Sequence, residues 1–183
     1  GRTTDEVKEV IAAGATDIGE NYVQEAEAVR QSLAQDLIKR VNWHMIGPLQ
    51  KNKINKALPI FDFIQTADSL ELVEAIDKRV ENAGKETISL MLEINIGSEL
   101  SKSGLKPEEN ERFEEFLDKL IVDISQLSHI RLEGLMTMGP FLAEPEQFRQ
   151  YFRRTKEIFD RLAKLKLQQV NMINTLSNGQ LNV

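Results

Sequence analysis

Segments of helical and of strand-like hydrophobic spacing alternate along this chain, and no long Pro/Gly/Ser tract divides it. Val7, Val10 and Ile11 share one face of a helix predicted from Asp5 to Ala13, with Gly14 as its stop. Thr16 to Ile18 reads as a short strand. Ala26, Val29, Leu33 and Leu37 form the stripe of the next helix. Val41 to Ile46 reads as a strand, Leu49 to Leu58 as a helix and Phe61 to Gln65 as a strand. Ser69 can cap a helix whose inward face is Leu72, Val73, Ile76 and Val80. Ile88 to Ile96 is the clearest strand: Ile88, Leu90, Leu92, Ile94 and Ile96 lie on one face, Ser89, Met91, Glu93 and Asn95 on the other. Phe113, Phe116, Leu117, Leu120, Ile121 and Ile124 make an amphipathic helix. A strand from Ile130 to Thr137 places Arg131, Glu133 and Thr137 on one face. A long helix from Phe148 to Leu165 and a short strand from Met172 to Leu176 complete the series.

Strands alternating with helices predict parallel βαβ units. Two closures suit such units, an open doubly wound sheet and a β/α barrel. A parallel open sheet is apolar on both faces of its strands. Here the strands pair one apolar face with one mixed polar face, which suits helices outside and a polar lumen inside. No G-x-G-x-x-G or P-loop pattern follows a strand. The expected fold is therefore an α/β TIM barrel, a single domain over residues 1–183. Six strand-like segments are present where such a barrel has eight, so the barrel is expected to be incomplete, lacking its first strand and its last βα units.

Composition narrows the function classes. The 183 residues are 41% hydrophobic and 28% charged, as in an ordinary soluble globular domain. A net charge of -6 without a basic stripe argues against nucleic acid as a partner. No apolar run has the length of a membrane span, and no signal peptide is seen. Cysteine is absent, which removes thiolate chemistry and favours the cytoplasm. With two histidines and no cysteine, no metal site is expected.

Candidate chemistry gathers at strand ends. His44 lies on the polar face near the C-terminal end of its strand, where barrel enzymes place site residues. It equally suits a core histidine bonded to a neighbouring strand. Asn21, just beyond Gly19, can cap the following helix, whose N-terminus would favour an anion in the mouth. Lys102 follows the Ile88–Ile96 strand in a glycine-bearing loop. It is placed to attract an acidic ligand, but a solvated lysine is the preferred reading. Glu93, Arg131 and Glu133 read as an ion network filling the lumen. His129 opens its strand, at the stability end of a barrel.

Four ordered segments carry a more specific signal. They are Gly19-Glu20-Asn21-Tyr22 with Gln24-Glu25, and Trp43-His44 with Gly47-Pro48-Leu49-Gln50 and Asn52-Lys53. Then come Asn95 with Lys102 and Gly104-Leu105, and Gly134-Leu135-Met136-Thr137-Met138. Together they resemble the pyridoxal phosphate homeostasis proteins, single-domain barrels related to the barrel of alanine racemase. The resemblance implies a barrel of the alanine racemase N-terminal type that holds pyridoxal 5′-phosphate as an internal aldimine. It also implies a role in vitamin B6 and amino-acid homeostasis, without established catalysis. Asn21 would lie beside the cofactor, and Met138 corresponds to a position facing the ring in the racemase. Ser177 matches the first serine of a family L-S-M-G-M-S run that helps hold the phosphate, though the residues after it depart from that run. The family's Schiff-base lysine is expected immediately before Gly1. The cofactor-binding residues expected in this chain are thus Asn21, His44 and Ser177, with no catalytic residue. Without the lysine and most of the phosphate cup, binding by this polypeptide is expected to be weak. A monomer is expected, with pyridoxal-phosphate-dependent apo-enzymes as recipients. The alternative is a pyridoxal-phosphate-dependent amino-acid racemase, which needs a second acid/base residue. Neither Tyr22 nor Tyr151 is convincingly placed for that.

Overall fold

A computed structural model of the protein describes residues 2–99, 102–107, 112–139 and 145–164. Ser177 and the strand expected from Met172 to Leu176 lie outside the described residues.

Among the described residues five strands form one parallel sheet: β1 (Asp17–Glu20), β2 (Asn42–Met45), β3 (Phe63–Ala67), β4 (Ile88–Glu93) and β5 (Ile130–Met136). Their spatial order is their chain order, β1-β2-β3-β4-β5, and every pairing is parallel. A doubly wound sheet reverses its order at a switch point. This sheet never does, so each crossover lands on the same side, as in the wall of a β/α barrel.

Helices α1 (Thr4–Ala12), α2 (Val23–Ser32), α3 (Gln35–Ile38), α4 (Ile54–Ala57), α5 (Leu70–Val80), α6 (Phe113–Ser125) and α7 (Pro145–Lys164) accompany the sheet. Helix α1 begins with a capping box between Thr3 and Glu6, a T-x-x-E signal the hydrophobic pattern does not reveal. It ends ahead of Gly14, whose φ is +103°. Val7 and Ile11 are buried there, whereas Val10 is exposed. Ser69 caps α5 by accepting from the Leu72 amide, and Leu72, Val73, Ile76 and Val80 are buried as predicted. Each such side chain contributes about 1.5–3 kcal/mol by leaving water.

Three expectations change. The stripe through Leu37 is split between α2 and α3 at Leu33, whose backbone is extended (φ -94°, ψ 147°). The helix expected from Leu49 to Leu58 reduces to a 3-10 turn at Lys51–Lys53 followed by α4. The third strand starts two residues later than Phe61. Ile60 and Phe61 are buried in the preceding turn, and their carbonyls are satisfied from outside it: Arg30 donates to Ile60 at 2.8 Å and Lys85 to Phe61 at 2.5 Å.

Register separates the two faces of the sheet. Ile18 pairs with Trp43, Met45 with Ile64, Ile64 with Leu90, and Leu90 with Leu132. This apolar row meets the helices, with the Arg30 guanidinium of α2 lying 5.1 Å from the Trp43 ring centre. Gly19, His44, Phe63, Ser89 and Arg131 form the opposite, lumen row. A bulge interrupts β5. Leu90 faces Leu132, but Met91 faces Gly134, so Glu133 is an extra residue. Beyond it Glu93 pairs with Met136. Thr137 therefore leaves the phase of Arg131 and Glu133, contrary to strict alternation, and its hydroxyl donates to the Ile94 carbonyl at 2.7 Å.

Candidate functional site

The C-terminal ends of the five strands define a mouth, and the lumen row leads into it. On the β1–β3 side the lumen centres on His44. Asp17 accepts from His44 Nε2 at 3.0 Å, and Gln65 Nε2 lies 2.9 Å from His44 Nδ1. A carboxylate only accepts, so the Nε2–H tautomer satisfies both bonds, with Gln65 donating to Nδ1. The imidazole also stacks on Phe63, centroids 4.5 Å apart and planes within 6°. Burial pushes the Asp17 carboxyl up, but hydrogen bonds from Thr16, Asn42 and His44 together hold it below its ordinary value. His44 thus forms a fixed, fully bonded part of the wall.

Above it, two loops touch at backbone level. A side-chain carbon on Gly47 would collide with the Asn21 carbonyl, so glycine is what lets the β1–α2 and β2–α4 loops meet. Thr66 Oγ1 donates to the Gly47 carbonyl at 2.7 Å, which fixes the contact from β3. Asn21 is exposed at this junction. It does not cap α2: the N-cap is Tyr22, and no side chain caps there. Glu20, buried at the end of β1, has its carboxyl raised by burial and then by the Glu25 charge.

On the β4–β5 side the expected three-residue ion network separates into two parts. Low in the lumen, Arg131 Nε pairs with Glu133 Oε1 at 2.6 Å; Arg131 also donates to Ser89 Oγ, which donates to Glu133 at 2.9 Å. Glu93 is not in that cluster. It ends β4 at the mouth, is only 5% exposed, and its Oε2 has no hydrogen-bond partner among the described residues. Burial, followed by repulsion from Asp68, pushes its carboxyl up to about 7 against the opposing pull of Lys102.

The loop after β4 folds back over Glu93. Leu105 donates to the Glu93 carbonyl at 2.8 Å, and Asn95 to the Leu105 carbonyl at 2.9 Å. Asn95 Nδ2 donates to the carbonyls of Glu99 and Lys102. Gly104 has φ +104°, and a Cβ there would lie 3.1 Å from Glu93 Cγ. Lys102 is not the solvated lysine expected. Its ammonium pairs with Glu99 at 2.7 Å and donates to the Gly139 carbonyl at 2.8 Å, which ties this loop to the exit of β5. Met138 is 49% exposed beside that exit. His129 lies at the opposite end of the sheet, with Nδ1 against the Glu86 carbonyl. The sequence signal for Glu93 is weak: a carboxylate closing a largely apolar strand, followed by a glycine-bearing loop. Among the described residues no group of three or more His, Asp or Glu side chains is arranged to hold a metal. No described helix is long and apolar enough to cross a membrane.

Comparisons with known proteins place this geometry among relatives. Residues 1–179 match the family described as alanine racemase, N-terminal domain. Similar proteins include the pyridoxal phosphate homeostasis protein of Pseudomonas aeruginosa, 36% identical over 83% of this chain and 61% of the relative. That of Pasteurella multocida is 34% identical over 97% of this chain and 72% of the relative. The chain spans 61% and 66% of the first two such relatives it matches. Among solved structures, PipY of Synechococcus elongatus PCC7942 without PLP superposes with a TM-score of 0.81 at 29% identity, over 94% of this chain and 75% of that one. The same protein with PLP bound gives 0.77 at 29% identity, over 94% and 74%. Alanine racemase of Clostridium difficile 630, at 15% identity over 87% of this chain and 39% of that one, gives 0.66 and shares the fold.

Proposed function

The chain belongs to the alanine racemase N-terminal domain family, among the pyridoxal phosphate homeostasis proteins, and on that premise we propose that it binds pyridoxal 5′-phosphate at the C-terminal mouth of its sheet. Its role would be to hold and buffer the cofactor in the cytoplasm rather than to catalyse a reaction. The recipients would be pyridoxal-phosphate-dependent apo-enzymes, and the protein would act as a monomer. One observation carries the reading. A singly wound parallel sheet turns a polar lumen row toward a mouth where Asn21 is exposed and the buried Glu93 Oε2 lacks a partner among the described residues. These groups fit the polar ring of the cofactor. When bound, the cofactor supplies an electrophilic aldehyde and an electron-withdrawing ring, and the protein governs access and protonation.

Asn21 would lie beside the ring at the β1 exit. His44, with both ring nitrogens engaged, would present a rigid surface rather than a mobile donor. Ser177 would contribute to the phosphate end. Tyr22 is exposed at the start of α2 and Tyr151 lies on α7, which supports a carrier over a racemase.

The test is a titration of the purified protein with pyridoxal 5′-phosphate, followed by absorbance, alongside intact mass before and after borohydride reduction. Saturable one-to-one binding, weakened by Asn21→Ala, supports the reading. No binding overturns it. Interconversion of L- and D-alanine would replace the carrier role with the racemase one.

A further inference from the structure

Three buried side-chain polar atoms lack a hydrogen-bond partner among the described residues: Trp43 Nε1, Ser98 Oγ and Glu93 Oε2. Trp43 faces the helix layer under Arg30, and Ser98 sits in a turn with φ +49°. Glu93 differs from both. It continues the lumen series of Ser89 and Met91, and it stands at the end of its strand where the mouth opens. Buried carboxyl oxygens are ordinarily bonded, so an open one at a mouth marks a place for a ligand atom.

We propose that Glu93 reads the cofactor's ring, hydrogen-bonding through Oε2 to a polar ring atom remote from the phosphate. This deepens the cofactor reading above and rests on it. Phosphate is the wrong partner for this position, because Glu93 already lies beside the Asp68 carboxylate. A dianion there would meet two acids and one lysine. The pyridine nitrogen and phenolic oxygen carry far less negative charge and suit a carboxyl group.

The surroundings pre-set the side chain. The loop from Asn95 to Leu105 clamps its backbone through the Leu105 amide, and Gly104 leaves just the space its Cγ requires. The charged groups around it are Asp68 after β3 and Lys102 in the following loop, with Glu99 paired to that lysine. Across from it, β5 offers the uncharged Met136. With its carboxyl raised to about 7, Glu93 carries a proton for part of the neutral range and can donate it in a hydrogen bond.

The experiment compares the full chain with Glu93→Gln at pH 6 and pH 8, titrating pyridoxal 5′-phosphate, pyridoxal and inorganic phosphate. Glutamine keeps an N–H donor but does not titrate. The wild-type to variant affinity ratio for pyridoxal 5′-phosphate should fall roughly five- to tenfold from the lower pH to the higher. Pyridoxal should repeat that fall, and inorganic phosphate should show none. A second readout needs no variant: the carbon-13 shift of the Glu93 carboxyl should titrate with a higher midpoint when the cofactor is bound. A constant ratio with an unmoved midpoint makes Glu93 a structural residue and overturns this inference alone. Failure of the wild type to bind pyridoxal 5′-phosphate at either pH overturns the cofactor reading and this inference with it.

Discussion

On the β1–β3 side of the lumen, His44 donates to Asp17, accepts from Gln65 and stacks on Phe63; on the β4–β5 side, Glu93 ends its strand with one carboxyl oxygen that no described residue bonds. Both groups are titratable, both face the interior, and both stand near the ends of their strands. The difference lies in their neighbours. Asp17, Asn42 and Gln65 come from three adjacent strands, so the histidine network is closed within the sheet. Glu93 has Asp68 and Lys102 nearby, and the lysine is already held by Glu99 and the Gly139 carbonyl. A closed network fixes a wall, and an open acid leaves a bond for something that arrives later.

The largest expected effect tests the wall. Gly47→Ala drives a methyl group into the Asn21 backbone, which cannot rotate away, and should cost about 3 kcal/mol in chemical denaturation. A loss under about 0.5 kcal/mol would show that the loop contact is soft. Next, His44→Ala removes a stacked ring and two hydrogen bonds, an expected loss of about 2 kcal/mol. Pairing it with Gln65→Ala in a double-mutant cycle should give a coupling of about 1 kcal/mol; zero coupling would remove the contrast with Glu93.

Glu93→Gln should act in the opposite direction. The folded protein holds this carboxyl near 7 against an ordinary value of 4.5, so it binds the proton more tightly than the unfolded chain does. Stability from this group is complete below the ordinary value and is lost as the pH rises through the folded one. Thermal melts should therefore show the variant about 1–2 kcal/mol more stable than wild type at pH 8, relative to their difference at pH 4. An unchanged difference across that range would mean that the carboxyl is solvated in the folded state. The smallest effect serves as a yardstick outside both walls. Ser69→Ala removes the α5 cap and should cost about 1 kcal/mol, independent of pH from 5 to 8.

Much of this was legible in the sequence. Strand and helix alternation predicted a β/α barrel wall, and the apolar face of β4 lies where the pattern put it, with Leu90, Leu92 and Ile94 fully buried. Boundaries failed where long-range groups decide. Nothing local in Leu58-Pro59-Ile60-Phe61 distinguishes a buried turn from a strand. The turn is sustained by Arg30 and Lys85, thirty and twenty-four residues away. Asn21 looked like a helix cap because its type suits one, yet the helix starts a residue later and Asn21 remains at the mouth. Lys102 looked solvated because its latch, the Gly139 carbonyl, is 37 residues distant. Glu93 looked like one member of a lumen network because alternation cannot measure height along a strand.

The extra residue in β5 behaves like a frameshift. Upstream of Glu133, odd-numbered positions face the interior; from Gly134 onward the even-numbered ones do, and Met136 takes the place opposite Glu93 that Leu135 would have had. Substitutions can only respell the letters that this wall displays inside. An insertion beside Glu133 would change which letters are displayed, exchanging the methionine opposite Glu93 for the neighbouring leucine in a single step.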